Sequence, residues 1–428
     1  MKTKLRNVVA PLAILLAIIT VVGLAIVQQT TKEQDDAVAV TVPVELASQG
    51  KAQHASVGLV LTIGNESAEG SQWNQAAAGA QVAIERFNRG GAQVSLITEN
   101  DRGTAEGARA AVRALAQEGV SGIVVASAGP HVEAAIDEAK TLGIPAILPY
   151  EQGRGQAWSM QVPVAELSQH VLAATSQTQE LIRLDQAGYL DLDVPAETQI
   201  RISQETDLAQ LTSDLVKKTS DKTKKFALVV NADAYLTGRL MLALEETPIN
   251  ADVYLSPESS SPAFGQSLMR DQQISLIKAL SLGAVSDDSL ALQPDGQGRA
   301  MSAYLQAVRI LSDSNVEVYG DQTFDSLALA ADARSHDAVV AIIRGVETAD
   351  STAPADVAAA LQTLELTPAD GITASSYDFA QQDLISGRTT LLSPSVGNLH
   401  LRPTNGAEEA PQILWIAQEP WRTRFRLN

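Results

Sequence analysis

The chain has 428 residues, enough for two or three ordinary domains, and its 45% hydrophobic content allows a sizeable core. Aromatics make up only 4%, so Ala, Leu, Val and Ile must fill that core. Fifty acidic against 31 basic side chains give a net charge of −19, which favours solubility and opposes binding to nucleic acid or anionic lipid headgroups. The absence of cysteine excludes disulfides, thiolate metal sites, cysteine nucleophiles and a lipid-modified N-terminal cysteine.

Lys2, Lys4 and Arg6 precede Val8–Val27, a run of twenty residues without a charge; Glu33, Asp35 and Asp36 follow it. At helical rise that run spans a bilayer, and the order of charges predicts an N-terminus inside. The reading is an uncleaved membrane anchor. A secretory signal cleaved near Ala37-Val38-Ala39 is the alternative, although that site lies far beyond the apolar run. Either reading puts the remainder outside the cytoplasm, with residues 1–30 as anchor or signal and 31–55 as a polar linker.

From Ser56 the chain alternates strand and helix. Val57–Ile63 is an apolar run of strand length, Gly64–Gln75 a loop of small and polar residues, and Ala76–Phe87 a helix stopped by Asn88-Arg89-Gly90-Gly91. A strand at Gln93–Thr98 leads through Glu99–Thr104 into a helix ending near Gln117. A third strand, Gly122–Ala126, opens into Ser127-Ala128-Gly129-Pro130-His131 and a helix to Leu142; a fourth, Ile144–Leu148, stops at Pro149-Tyr150-Glu151. This alternation predicts an α/β fold with a parallel sheet covered on both faces, and ligands in such sheets sit outside the carboxyl ends of the strands.

The pattern then loosens. Ala165–Ala187 is helix-compatible, Gln199–Ser203 strand-like, and Thr206–Ser220 helical through Leu208, Leu211 and Leu215. Phe226–Val230 restarts the strand pattern, followed by the loop Asn231–Tyr235 and a helix over Leu236–Leu244. Val253–Leu255 and Ser289–Leu292 read as strands, with the Ser/Pro-rich turn Ser256–Ser261 and the mixed stretch Phe264–Leu282 between them. After the loop Gln293–Gly298 come a helix at Arg299–Leu311, a strand at Val316–Tyr319, and helices at Phe324–Val346 and Pro354–Leu364. Ala374–Phe379, Gly397–Leu401, Gln412–Ala417 and Thr423–Leu427 are short extended runs.

These pieces, in this order, resemble the type I periplasmic-binding-protein family, in its branched-chain amino-acid (Leu/Ile/Val) receptor group of ABC transporters. The residues that carry the resemblance are VGLVLTIGNESAEG with AAAGAQVAIERFNRGG, VSLITENDRGTAEGARAAVRALAQEGVSGIVVASAGPHVEAA, GIPAILPY, FALVVNADAYLTGR, and FDSLALAADARSHDAVVAIIRGVE with ADVAAALQTLELTPADGITASSYDFAQQD. The resemblance implies a two-lobed clamshell joined by three crossovers, preceded here by the transmembrane helix. Lobe one is then 56–150 with 324–384, and lobe two 151–323 with 385–428. It implies a small-molecule ligand, an amino acid or related solute, held in the interlobe cleft, and an ABC-type permease or a sensor as partner. No cofactor, metal or catalytic residue is expected.

In that family the loops corresponding to Ser127–His131 and Tyr150–Gln152 hold a ligand's carboxylate. Ser127, Ala128 and Gly129 are therefore the anion candidates, because free N–H groups at a helix N-terminus and a serine hydroxyl all donate. Ser127 serves equally well as an N-cap, and His131 is more simply a lone exposed histidine. Tyr150 and Gln152 follow strand four, where a tyrosine either stacks on a ligand or closes the hinge. Tyr235 matches the family's second-lobe tyrosine, although Leu236 stands where glycine is usual. Gln72 and Trp73 sit in the first loop as a pocket wall. Asp295 is the acid placed to meet an ammonium group; Arg299, four residues on, would favour an anion instead.

Three function classes compete. A membrane-tethered solute receptor is the first. An enzyme on the same sheet is the second, but no GxGxxG, GxSxG or HExxH motif occurs, and His54, His131, His170, His336 and His400 lack metal spacing. An extracytoplasmic scaffold or sensory domain that has lost its ligand is the third, favoured by Leu236 and by the long, poorly matched stretch 153–198.

Overall fold

The computed structural model describes residues 43–417 apart from 65–67, 248, 271–272, 275–278, 285–287, 315, 398 and 404–411. The expected anchor at Val8–Val27 and the expected strand at Thr423–Leu427 lie outside the described residues. Among the described residues no helix is long and apolar enough to cross a membrane.

Two sheets organise the chain. The first has the order β2-β1-β3-β4-β5, all parallel, with β1 Ser56–Leu61, β2 Ser95–Asn100, β3 Gly122–Val125, β4 Ala146–Leu148 and β5 Trp158–Ser159. Helices cover both faces, so its central strands bury side chains of both parities. Val60, Ile123 and Val125 meet Val112, Leu115 and Ile136 of the helices Ala105–Gln117 and Val132–Leu142. Val57, Leu59 and Leu61 share the opposite cluster with Val82 of the helix Gly79–Arg89 and Val339 of the helix Ala333–Ala349. Gly58 is required where the layers press closest: a Cβ there would stand 2.9 Å from both Ile123 and Leu115 side chains.

The second sheet starts with β6 Glu180–Gln186, β7 Thr198–Ile202, β8 Phe226–Asn231 and β9 Asp252–Leu255. Its order is β7-β6-β8-β9, then Ala279–Gly283 in parallel, then Thr390–Gly397 and Gln412–Ala417 antiparallel. Leu228 and Val230 pack with Leu215 and Leu240 on one face; Ala227 and Val229 meet Leu167 and Val171 of the helix Val164–Ala174 on the other. Local sequence sets the helix starts: Thr104, Asp207, Asp233 and Asp295 each accept a hydrogen bond from a backbone N–H in the first turn.

The chain passes between the sheets three times, after β5, after Gly283 and before Thr390. Two segments assigned from sequence to the second lobe pack with the first: β5 extends its sheet, and the helix Gly296–Ser312 lies against Gly79–Arg89.

Four local expectations are corrected. The distal half of Ala165–Ala187 is strand β6; Glu, Leu, Arg and Gln favour helix locally, but pairing with β7 and β8 overrides that preference. Ser289–Leu292 belongs to a 3₁₀ turn, Asp288–Leu292, because Ala279–Gly283 fills the strand position beside β9. The helix expected over Phe324–Val346 is two, Phe324–Leu327 and Ala333–Ala349; Asp332 caps the second by accepting from the Arg334 N–H. The strand expected at Gly397–Leu401 lies earlier, at Thr390–Gly397.

Buried polar groups tie the first lobe together. Asp337 is 0% exposed and accepts from the Thr373 N–H and Oγ1, the Ala374 N–H and the Tyr377 hydroxyl. Arg86 donates to the carbonyls of Val44 and Gly371, and Arg344 to that of Ala47, so the segment before β1 is held to this lobe. Replacing Asp337 by Ala orphans several buried donors. The expected cost is about 3–5 kcal/mol by urea unfolding; a loss below about 1 kcal/mol would mean that packing alone holds 373–377.

Candidate functional site

The carboxyl ends of β1, β2 and β3 converge on a buried ionic network. His131 donates from Nδ1 to Glu69 Oε1 at 2.7 Å, and its Nε2 lies 3.1 Å from Asp101 Oδ2 and 3.0 Å from Ser127 Oγ. Thr62 Oγ1 donates to Asp101 at 2.7 Å and sits 2.9 Å from Ser127 Oγ. Burial alone would lower the imidazole's pKa; hydrogen bonds to Asp101 and Glu69 outweigh it and push it up to about 9. Burial also opposes the charge on Glu69 and Asp101, yet bonding to His131 holds both below the usual carboxylate range.

This arrangement corrects two expectations. His131 is not an exposed histidine: it is 5% exposed and lies between two carboxylates, which favour its protonated form. Ser127 is not an N-cap either, since the helix Val132–Leu142 has no side-chain cap, and its hydroxyl is turned inward at 0% exposure. Ala128 is buried beside it. Two of the loop's N–H donors are already engaged by the protein's own acids. Gly129, at φ 115°, donates to Glu151 Oε2 at 2.7 Å, and the His131 N–H donates to Glu69 at 2.9 Å.

Beside this network the two lobes meet around an aromatic pair. Trp73 and Tyr150 stack face to face, with centroids 4.3 Å apart and planes 2° from parallel. Both are buried, and the Tyr150 hydroxyl bonds Ser335. From the second lobe, Glu258 enters on the 3₁₀ turn Pro257–Ser260 that follows β9. It accepts from Trp73 Nε1 at 3.1 Å and Gln72 Nε2 at 3.3 Å. Burial, reinforced by the charge of Glu151, pushes its carboxyl up to about 8. Burial likewise raises Glu151, against hydrogen bonds from the Gly129 and Gln152 N–H groups. A cavity of about 380 Å³ opens here, walled by Gly129, Tyr150, Glu151 and Gln152 from one side and Tyr189 and Glu258 from the other. Gln152 is held in place by donating from Nε2 to the Val162 carbonyl at 2.8 Å.

Of the nine residues singled out from sequence, Gly129, Tyr150 and Gln152 line this cavity. Gln72 and Trp73 orient its acid, and Ser127 and Ala128 lie in the layer behind. Tyr235 and Asp295 lie elsewhere. Tyr235 is in the first turn of the helix Ala234–Glu246 and packs on the second-lobe core. Asp295 is exposed and spends its carboxylate capping its own helix through the Gly298 N–H at 2.9 Å. The residues missed are Glu258, Glu151, Glu69, Asp101 and Tyr189. Glu258 carried one legible signal: it is the single acid in the Ser/Pro-rich turn at the carboxyl end of a strand.

No family model matches this chain, and no curated protein matches its sequence. Solved structures do match its fold. A type 1 periplasmic binding protein from Bordetella pertussis aligns with TM-score 0.57 at 12% identity, over 85% of this chain and 100% of that one. The branched-chain amino acid transporter substrate-binding protein of Streptococcus pneumoniae, in complex with isoleucine, aligns with TM-score 0.58 at 13% identity, over 85% and 99%. An ABC transporter substrate-binding protein from Desulfitobacterium hafniense, in complex with leucine, gives 0.57 at 13%, over 85% and 100%. The chain therefore has the type I periplasmic-binding-protein fold.

Folding raises the proton affinity of His131, so the stabilisation is complete below the unfolded value of 6.5 and is lost as pH climbs through about 9. The stability gap between the parent and His131→Gln, read by urea unfolding, should be on the order of 3 kcal/mol below pH 6.5 and close above about pH 9. A gap independent of pH would mean that the imidazole is neutral in the folded protein.

Proposed function

We propose that this protein is an extracytoplasmic solute-binding protein that captures a small polar solute bearing an ammonium group, an amino acid or a relative, between its two lobes. The observation that carries the reading is the Glu258 carboxyl. It is buried in an interlobe cavity, its protein partners there are neutral donors, and an incoming cation supplies the missing counter-charge. Structural relatives crystallised with leucine and isoleucine support a solute-binding role. Glu258 takes the part that sequence reasoning gave to Asp295. Lobe closure would then trap the solute, and an ABC-type permease or a sensor would receive it. The apolar run Val8–Val27 would tether the protein as a single-pass anchor with its bulk outside the cytoplasm.

Ser127, His131 and Glu69 have the spacing of a nucleophile relay, but the chemistry argues against an enzyme. An imidazole already protonated between two carboxylates cannot accept the serine proton, and the hydroxyl is fully buried. The second reading, a scaffold or sensory domain without a ligand, draws support from the loop at Ser127–His131, whose Gly129 and His131 N–H groups are spent on Glu151 and Glu69.

The test is a panel of amines and amino acids against the full-length protein, read by thermal shift and calorimetry. At least one member should raise the melting temperature, and Glu258→Gln should weaken it tenfold or more. Because the cation needs an ionised Glu258, affinity should rise with pH up to about 8 and then level off. No shift with any member of the panel would favour the scaffold. As to the anchor, deleting residues 1–27 should move the protein from the membrane fraction to the soluble one; retention on membranes would overturn it.

A further inference from the structure

A second cavity, of about 280 Å³, adjoins the acidic one and shares Gln161 and Pro257 with it. Its charge is opposite. The acidic cavity is walled by Glu151, Asp191, Glu258 and Asp383 with Arg154; the second carries Arg334 and Arg388, and among the described residues no Asp or Glu lines it. Arg334 donates from Nε and Nη2 to Asp332 at 3.1 and 3.0 Å, which leaves Nη1 without a protein acceptor among the described residues. Its guanidinium carbon stands 4.9 Å from the Trp73 centroid and 4.8 Å from that of Tyr150. Both distances are within cation–π range, so the aromatic pair holds the guanidinium at the cavity wall. Arg388 is half-buried and donates to the Ser376 carbonyl and hydroxyl, and among the described residues it has no carboxylate partner.

We infer that this second cavity is a carboxylate subsite, and that the solute is an extended zwitterion, its ammonium at Glu258 and its carboxylate at Arg388 and Arg334. The inference rests on the proposed function for its cationic end only. The Arg388 guanidinium and the remaining Arg334 Nη1, which face one cavity, together match a planar, two-oxygen anion. The geometry sets the spacing. Glu258 meets the N–H edge of the Trp73 indole, and the Arg334 guanidinium lies over the same ring at 4.9 Å. Glu258 lines the first cavity and Arg334 and Arg388 the second, so one carbon does not carry both partners, and the Gly129 and His131 N–H donors are taken. An α-amino acid satisfies one end; a chain with several methylenes between its charges reaches both.

Calorimetry on the full-length protein with four probes tests this: 5-aminopentanoate, leucine, n-pentylamine (cation alone) and glutarate (anion alone). 5-Aminopentanoate should bind at least tenfold more tightly than leucine or pentylamine. Arg388→Gln should weaken 5-aminopentanoate and glutarate alike by tenfold or more. Arg388→Lys, which keeps the charge but loses the fork, should recover part of the loss and exclude misfolding as its cause. Leucine binding as tightly as 5-aminopentanoate, binding of neither carboxylate probe, or Arg388→Gln leaving both unchanged overturns the subsite. Glutarate bound through Arg388 with no response to pentylamine would sustain the subsite and sink the cationic reading of Glu258 instead.

Discussion

A carboxyl group taken out of water between two lobes, and met there by neutral donors, is the constraint around which this cleft is built. Glu258 belongs to the second lobe; the indole and amide that hold it, Trp73 and Gln72, belong to the first. Each donor is worth a modest amount, while desolvation of an ionised acid costs several kcal/mol, so the group keeps its proton up to about pH 8. The same contact orders the rest of the site. It fixes the indole plane, on which Tyr150 stacks, and it leaves the open side of the carboxyl facing the cavity. One interaction thus joins the halves, orients the aromatic wall and sets the local charge.

The loops behind that wall are built in the opposite way. There the charges are matched: an imidazolium between two carboxylates, with Thr62 and Ser127 filling the remaining bonds. Such a cluster makes the ends of β1, β2 and β3 a stiff plate, because moving one loop breaks bonds in the others. Matched charges behind the wall and a carboxyl met only by neutral donors in front of it thus face each other across the cleft. Glu151, on the crossover between them, belongs to both sets through its bond to Gly129.

The fold was legible wherever strands are buried on both faces. Val57–Leu61, Gly122–Val125 and Phe226–Asn231 are near-continuous apolar runs, and their shortness, β-branched content and flanking small or polar loops mark them as strands instead of buried helix segments. It was illegible at Glu180–Gln186, where residues that favour a helix are drawn into a strand by neighbours far away in sequence. For the site, sequence order identified the loops but not the direction of their side chains. Tyr150, Gly129 and Gln152 face the cavity, while Ser127, in the same loop as Gly129, faces the core. Asp295 misled because Asp before glycine is equally the signature of an N-cap and of an acid at a loop end. Glu258 and Arg334 escaped notice because their meaning arises only from sharing Trp73, which lies 185 and 261 positions away in the chain.

The clamping of Val44 and Ala47 by Arg86 and Arg344 has a mechanical consequence. Any load borne by the amino end of the chain enters at the first lobe, through bonds to the helices Gly79–Arg89 and Ala333–Ala349, and bypasses the hinge strands. Residues 44–47 therefore ride with the first lobe, and a pull on them is taken up by its helices instead of by the segments that pass between the sheets.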